Sequence, residues 1–125
     1  MISVDTIARV RREPPSGDEW SHEIKWDGWR LQTHKWADGV TLYSRPGRDI
    51  TARFPRISEA IAALSRRSLV LDGELVAFDD KSRPDFHLQR RKEGPVVAFV
   101  FDIIESNGAD LRSRPWRERR RFLER

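Results

Sequence analysis

Glu23-Ile24-Lys25-Trp26-Asp27-Gly28-Trp29-Arg30 concentrates more potential chemistry than any other stretch of the chain. Lys25 carries a primary amine at the end of a short alternating stretch, beside an Asp-Gly turn that would hold it at the rim of a sheet. Flanking aromatics can partly desolvate such an amine. Burial favours its neutral form, and a neutral amine is a nucleophile. Gly28 lets the backbone approach a ligand closely, and Arg30 offers a planar five-donor fork to oxygens. Lysine is scarce: only Lys25, Lys35, Lys81 and Lys92 could do amine chemistry. The same residues also describe a surface lysine beside a β-turn, with Asp27-Gly28 doing turn work only.

Three further clusters carry chemically useful groups. Ser44-Arg45-Pro46-Gly47 places a guanidinium at a turn, where Arg45 could equally just close it. Leu71-Asp72-Gly73-Glu74 puts two carboxylates either side of a glycine, although Glu74 alone could be an exposed strand residue. Phe101 lies in the most apolar run of the chain, where an aromatic belongs to the core by default.

The elements that must position these groups fit in one domain. The chain has 125 residues and no cysteine, which excludes a disulfide scaffold and any Cys-ligated zinc or iron–sulfur centre. No run approaches the ~20 apolar residues of a membrane span, and Met1 to Arg12 has no secretion-signal pattern, so a cytoplasmic protein with no membrane partner is expected. Five Trp and six Phe argue against disorder. Residues 1–111 hold 17 Lys and Arg against 18 Asp and Glu, whereas residues 112–125 hold seven Arg against two Glu. The basicity is therefore terminal: either an electrostatic footprint for phosphate backbones or a solvated helix face.

Alternation predicts strands over Trp20–Lys25, Trp29–Trp36 and Val40–Arg45, the last two joined by a hairpin turn at Asp38-Gly39. Phe54-Pro55 opens a helix with Ile57, Ile61 and Leu64 on one face. Leu69–Phe78 is a β-rich run interrupted by Asp72-Gly73-Glu74, and Asp85 can cap a helical turn through Phe86, Leu88 and Gln89. Val96–Ile104 reads as a central strand, Ser106-Asn107-Gly108 as a turn, and Pro115 starts a last helix with Trp116, Arg120 and Leu123 on one face. The class is α+β with an antiparallel-rich sheet and flanking helices.

Lys25-Trp26-Asp27-Gly28-Trp29-Arg30 resembles the Lys-x-Asp-Gly-x-Arg signature of covalent nucleotidyltransferases: ATP-dependent DNA ligases, RNA ligases and mRNA capping enzymes. Four fixed residues at that spacing arise by chance about once in a thousand chains this short, so the ordered set matters more than one match. Ser44-Arg45, Asp72-Gly73-Glu74 and Phe99-Val100-Phe101-Asp102, followed by Asp110-Leu111-Arg112, are similar to the family's next motifs in the family's order. Glu13-Pro14-Pro15 and Arg53-Phe54-Pro55 resemble bacterial ATP-dependent DNA ligases of the end-joining type.

The resemblance implies the N-terminal portion of a ligase and capping-type adenylation domain over residues 1–125, using ATP and Mg²⁺ and acting on nicked double-stranded DNA in repair and recombination. Lys25 would attack the α-phosphate, expel pyrophosphate and carry AMP as a phosphoramide. Glu23 and the Ile24 backbone would meet the adenine edge. Arg30 and Glu74 would hold the ribose, with Glu74 also near a metal ion. Arg45 would lie near the nucleotide and the 5′-phosphate of a nick, and Phe101 would stack on adenine. The ordered Ser-Arg-Pro-Gly and Asp-Leu-Arg segments favour DNA ligase over RNA ligase or capping chemistry.

The chain departs from the pattern in the features that the family places last. No lysine follows Lys92, so the family's later Lys-x-Lys pair is absent, as are its Glu-Gly-hydrophobic-x-x-Lys motif and an OB domain; Glu93-Gly94 has the first two letters of that motif but precedes Phe99-Val100-Phe101-Asp102, out of the family's order. These residues alone are therefore expected to be inactive or severely impaired. A missing C-terminal half or end-joining factors are the expected partners. A non-catalytic remnant that binds nucleic acid or a partner through the basic tail is the competing expectation.

Overall fold

A computed structural model describes residues 13–85 and 95–124 of the chain. Five strands form one antiparallel sheet: β1 (Trp29–Trp36), β2 (Gly39–Ser44), β3 (Leu69–Ala77), β4 (Val96–Ser106) and β5 (Ala109–Asp110), in the order β2-β1-β3-β4-β5. A 3₁₀ turn over Thr51–Arg53 leads into helix α1 (Pro55–Ala62), and helix α2 (Trp116–Leu123) ends the described chain. Among the described residues no helix is long and apolar enough to cross a membrane.

Alternation in β1 sends Leu31 and Thr33 to one face and Arg30, Gln32 and His34 to the other. The first face is the core. Leu31, Leu42, Ile50, Phe54 and Leu75 pack there, and Ile61, Leu69, Leu71, Ile103 and Leu111 continue it, with Ile57 and Val40 touching both groups. Each fully buried leucine contributes roughly 1.5–3 kcal/mol. Helix α1 covers this face through Ile57 and Ile61, with Pro55 at its first turn; Phe122 and Leu123 bring α2 against it. Lys35 reaches the end of α1, its Nζ donating to the carbonyls of Ala62 and Leu64 at 3.0 and 2.5 Å. This satisfies the orphan acceptors of a helix C-terminus with a cation.

Several expectations are met and several are corrected. The β1–β2 hairpin turns through Ala37 and Asp38, with Gly39 (φ +141°) opening β2 opposite Trp36. Trp20–Lys25 is not a strand: it leads into β1, whose two edges are already taken by β2 and β3. Leu64 lies beyond α1 and is 46% exposed, because the helix ends at Ala62. β4 is not central: β3 occupies one side along its length, but β5 pairs only with Glu105 and Ser106 on the other. The centre of the sheet is β3. The expected turn at Asp85–Gln89 lies outside the described residues beyond Asp85 itself.

Asp72-Gly73-Glu74 does not interrupt β3, which runs unbroken from Leu69 to Ala77. The glycine is there for close approach. A Cβ on Gly73 would sit 2.5 Å from the Phe99 carbonyl oxygen and 3.2 Å from Val100 Cα. Those are backbone atoms, so β4 itself would have to move. Gly73→Ala is expected to cost about 1–3 kcal/mol by overpacking, read as a lowered urea midpoint. An unchanged midpoint would show that β4 yields freely.

Candidate functional site

The other face of the sheet is where chemically active side chains gather. Arg30 on β1 lies directly opposite Glu74 on β3, and opposed residues share a face with Cβ atoms about 5 Å apart. The Arg30 fork grips Asp72, Nε donating to Oδ1 at 2.6 Å and Nη2 to Oδ2 at 2.5 Å. That bonding raises Arg30 above its ordinary pKa. The Arg30 guanidinium also lies over the Phe101 ring, 5.2 Å from its centroid. Phe101 has no strand partner, because Asp102 pairs with Asp72 and Val100 with Gly73. It is the extra residue of a β-bulge, a device that re-aims a side chain. The Gly28 N–H donates to Glu74 Oε1 at 3.2 Å, tying the turn before β1 to the same cluster.

Arg30, Glu74 and Phe101, anticipated as neighbours, are thus brought together with Gly28. Arg45 is exposed just past Ser44, and Ser44 opposes Leu31, so Arg45 lies at the same end of the sheet. Lys25 is three residues before Gly28, which places its Cα within about 11 Å of Gly28 Cα. Its surroundings differ from the expectation: it is exposed rather than desolvated, on no strand, and without a hydrogen-bond or ion-pair partner among the described residues. Ile24 is 74% exposed. Glu23 points to helix α2, where Arg120 Nη1 donates to its Oε1 at 3.0 Å.

Three carboxylates surround the cluster, and two are fully engaged. Asp72 gives both oxygens to Arg30, and Asp102 gives both to Arg119 of α2, at 2.8 and 3.1 Å. Of these three, Glu74 alone keeps an oxygen without a partner among the described residues, and exposed Asp27 acts on it electrostatically from the neighbouring turn. No group of three or more His, Cys, Asp or Glu poised for a metal occurs among those residues. The donor set suits Mg²⁺ held mainly by phosphate oxygens and water with one carboxylate, rather than a metal caged by protein.

Burial raises the Glu74 carboxyl above its ordinary 4.5, and the Gly28 N–H and Arg30 only partly oppose it. A raised carboxyl binds its proton more tightly in the folded state than in the unfolded one. Its stabilising contribution is therefore complete at low pH and lost as pH rises through the folded value. Glu74→Gln is expected to stabilise the fold at neutral pH, by less than about 1 kcal/mol after solvent screening. The gain should vanish near pH 4, where the unfolded carboxyl also protonates. Urea midpoints at the two pH values test this; equal gains at both would contradict it.

Asp72 as the partner of Arg30 was not anticipated, nor was the aromatic stack. Trp26 lies on Phe99 with ring centroids 3.9 Å apart and planes 12° apart, and Phe78 meets Trp26 edge-on. The alternation of β1 and β3 could have shown Arg30 and Asp72 on one face, but the stack depends on a non-strand segment that no periodicity describes. The basic tail is largely spent within the molecule. Arg112 pairs with Asp110, Arg114 with Glu118, Arg119 with Asp102 and Arg120 with Glu23 and Glu124, while Arg117 donates to the Asp18 carbonyl. These contacts favour a structural helix face over a free phosphate-binding patch.

Comparison with known proteins adds an independent finding. The family model described as "ATP dependent DNA ligase domain" matches residues 4–125. The multifunctional non-homologous end joining protein LigD of Pseudomonas aeruginosa is 41% identical over 123 residues, covering 94% of this chain and 14% of that protein. DNA ligase 1 of Methanosarcina mazei is 38% identical over 122 residues, covering 82% of this chain and 21% of that protein. The crystal structure of the ligase domain of Mycobacterium tuberculosis LigD superposes with a TM-score of 0.73 at 34% identity, over 82% of this chain and 35% of that one. A mycobacterial DNA ligase D complexed with ATP and MES matches equally well. The chain thus spans only a small part of each relative, and within that span it belongs to the ATP-dependent DNA ligase domain family.

Proposed function

We propose that residues 1–125 supply the nucleophile-bearing part of a DNA ligase adenylation domain, one that takes AMP from ATP and passes it to the 5′-phosphate of nicked DNA. The observation that carries this reading is the assembly of Arg30, Glu74, Phe101 and the Gly28 turn at one end of the sheet, three residues from Lys25. Lys25 Nζ forms a bond to the α-phosphorus of ATP as the bond to the pyrophosphate leaving group breaks, and the amine gives up a proton. Phe101, over which Arg30 lies, offers an aromatic ring on which a flat base can stack. Glu74, with one oxygen free, accepts a ribose hydroxyl, and Arg30, fixed by Asp72, turns its remaining donors to ribose oxygen. Glu23 and the Ile24 backbone meet the adenine edge, which requires Glu23 to leave Arg120. Arg45 meets phosphate at the same end of the sheet. Mg²⁺, when bound with the triphosphate, offsets its negative charge, with Glu74 the carboxylate nearest to hand. The setting is cytoplasmic, on nucleoid DNA.

Later motifs that the family places after these residues would complete the cleft, and end-joining factors are the natural partners. The competing idea, a non-catalytic nucleic-acid binder acting through the basic tail, is disfavoured by the internal pairing of its arginines. A chimera tests the substrate class: residues 4–125 replace the matching stretch of the Pseudomonas relative. ATP in preference to GTP, and nicked DNA in preference to nicked RNA, is the expected result. GTP preference would move the reading to capping chemistry, and RNA preference to RNA ligation.

A further inference from the structure

The segment that carries Lys25 has little backbone support. Residues 21–28 form no strand, and among the described residues their backbone is tied to the rest of the fold through the Gly28 N–H on Glu74. An amine that must meet one phosphorus atom gains rate from being held in place, and a segment without ladder bonds needs another means. The structure supplies one on each side of Lys25. Two residues before it, Glu23 is paired with Arg120 of α2 at 3.0 Å. One residue after it, Trp26 lies flat on Phe99 of β4. Helix α2 is itself fixed to the sheet by Arg119 on Asp102, three residues along β4 from Phe99, and by Phe122 and Leu123 in the core. Arg117 adds a bond to the Asp18 carbonyl farther upstream. Both tethers therefore end on one rigid unit, β4 with α2, while the Lys25 side chain stays free between them.

We infer that Arg120 and Phe99 are positioning residues for Lys25, acting through Glu23 and Trp26 to hold the amine over the Arg30–Glu74 end of the sheet. This rests on the proposed role of Lys25, but the tethers can be measured without any nucleotide chemistry. The unequal nature of the two matters. The ion pair is half exposed and must open if Glu23 is to meet a ligand, whereas the stack can persist throughout. Phe99 is then the permanent anchor and Arg120 the releasable one.

A lysine-specific endoproteinase reads this directly, because the chain offers it only four sites. Lys35 sits within β1 and reports global opening; Lys81 sits in a turn and reports protease activity. Proteolysis follows the population of the open form when closing is fast. Phe99→Ala and Arg120→Ala are each expected to speed cutting after Lys25 by about tenfold, with cutting at Lys35 unchanged. Phe99→Tyr, and the exchanged pair Glu23→Arg with Arg120→Glu, should restore protection. Unchanged cutting at Lys25 in both alanine variants overturns the inference. So does an equal rise at Lys35, which would mean that the fold loosens rather than a tether. Absence of an adenylate on Lys25 in the chimera, with the variants still speeding cutting at Lys25, would instead strike at the role of Lys25 and leave the tethers standing.

Discussion

Arg30→Ala is expected to lower stability by about 3–5 kcal/mol, because it leaves a buried carboxylate uncompensated. The Asp72 side chain is 4% exposed and spends both oxygens on Arg30. Asp102 lies directly across the strand pair from it. Arg119 already satisfies Asp102, so no other described cation is at hand for Asp72. Adding Asp72→Asn to Arg30→Ala removes the stranded charge and should recover much of the loss, whereas Asp72→Asn alone leaves Arg30 partly free to reach water. Arg112→Ala is the control: its pair with Asp110 is more than half exposed on both sides and should contribute little. Urea unfolding of the four variants checks the set. A loss below about 1 kcal/mol for Arg30→Ala would place Asp72 in an environment much wetter than its burial indicates.

The second large effect concerns turnover by these 125 residues alone. No lysine follows Lys92, so the cations that the resembling family uses at the α-phosphate are not among them. Each missing donor of transition-state charge costs about 10²–10³ in rate, and two such losses together bring sealing below detection. Incubation with α-labelled ATP and Mg²⁺, then denaturing electrophoresis, should leave the chain essentially unlabelled, with no sealed nicks. Strong labelling that disappears in Lys25→Ala would overturn the expected inactivity while supporting Lys25 as the nucleophile. It would also mean that Arg30 and the Gly28 turn supply more of the phosphate charge than their positions indicate.

What could be read from sequence and what could not divide along physical lines. The β1–β2 hairpin, helix α1 and the Asn107-Gly108 turn (φ +48° and +88°) follow from alternation, a Pro start and turn chemistry, all of them local. Arg30, Glu74 and Phe101 could be grouped because the motif order carries a spatial arrangement that periodicity does not. Trp20–Lys25 reads as a strand and is none, because alternation shows a strand's side-chain pattern but not whether an edge is free to receive it. β4 reads as central for a related reason: apolar content signals burial, yet much of Val96–Asp102 is only half buried, and among the described residues its outer edge pairs only at Glu105 and Ser106. Gly73 looked like an interruption because the sequence does not show how near β4 comes. Arg117, Arg119 and Arg120 read as free charge because Asp18, Asp102 and Glu23, which engage them, are distant in sequence.

The central claim is that Lys25 receives AMP. In the chimera with the Pseudomonas relative, incubation with ATP and Mg²⁺ followed by proteolysis and mass spectrometry locates any adenylate. The account predicts a single acid-labile AMP adduct on the peptide containing Lys25, absent from Lys25→Ala and undiminished in Lys35→Arg. An adduct on Lys35, Lys81 or Lys92, or one that survives Lys25→Ala, would contradict it.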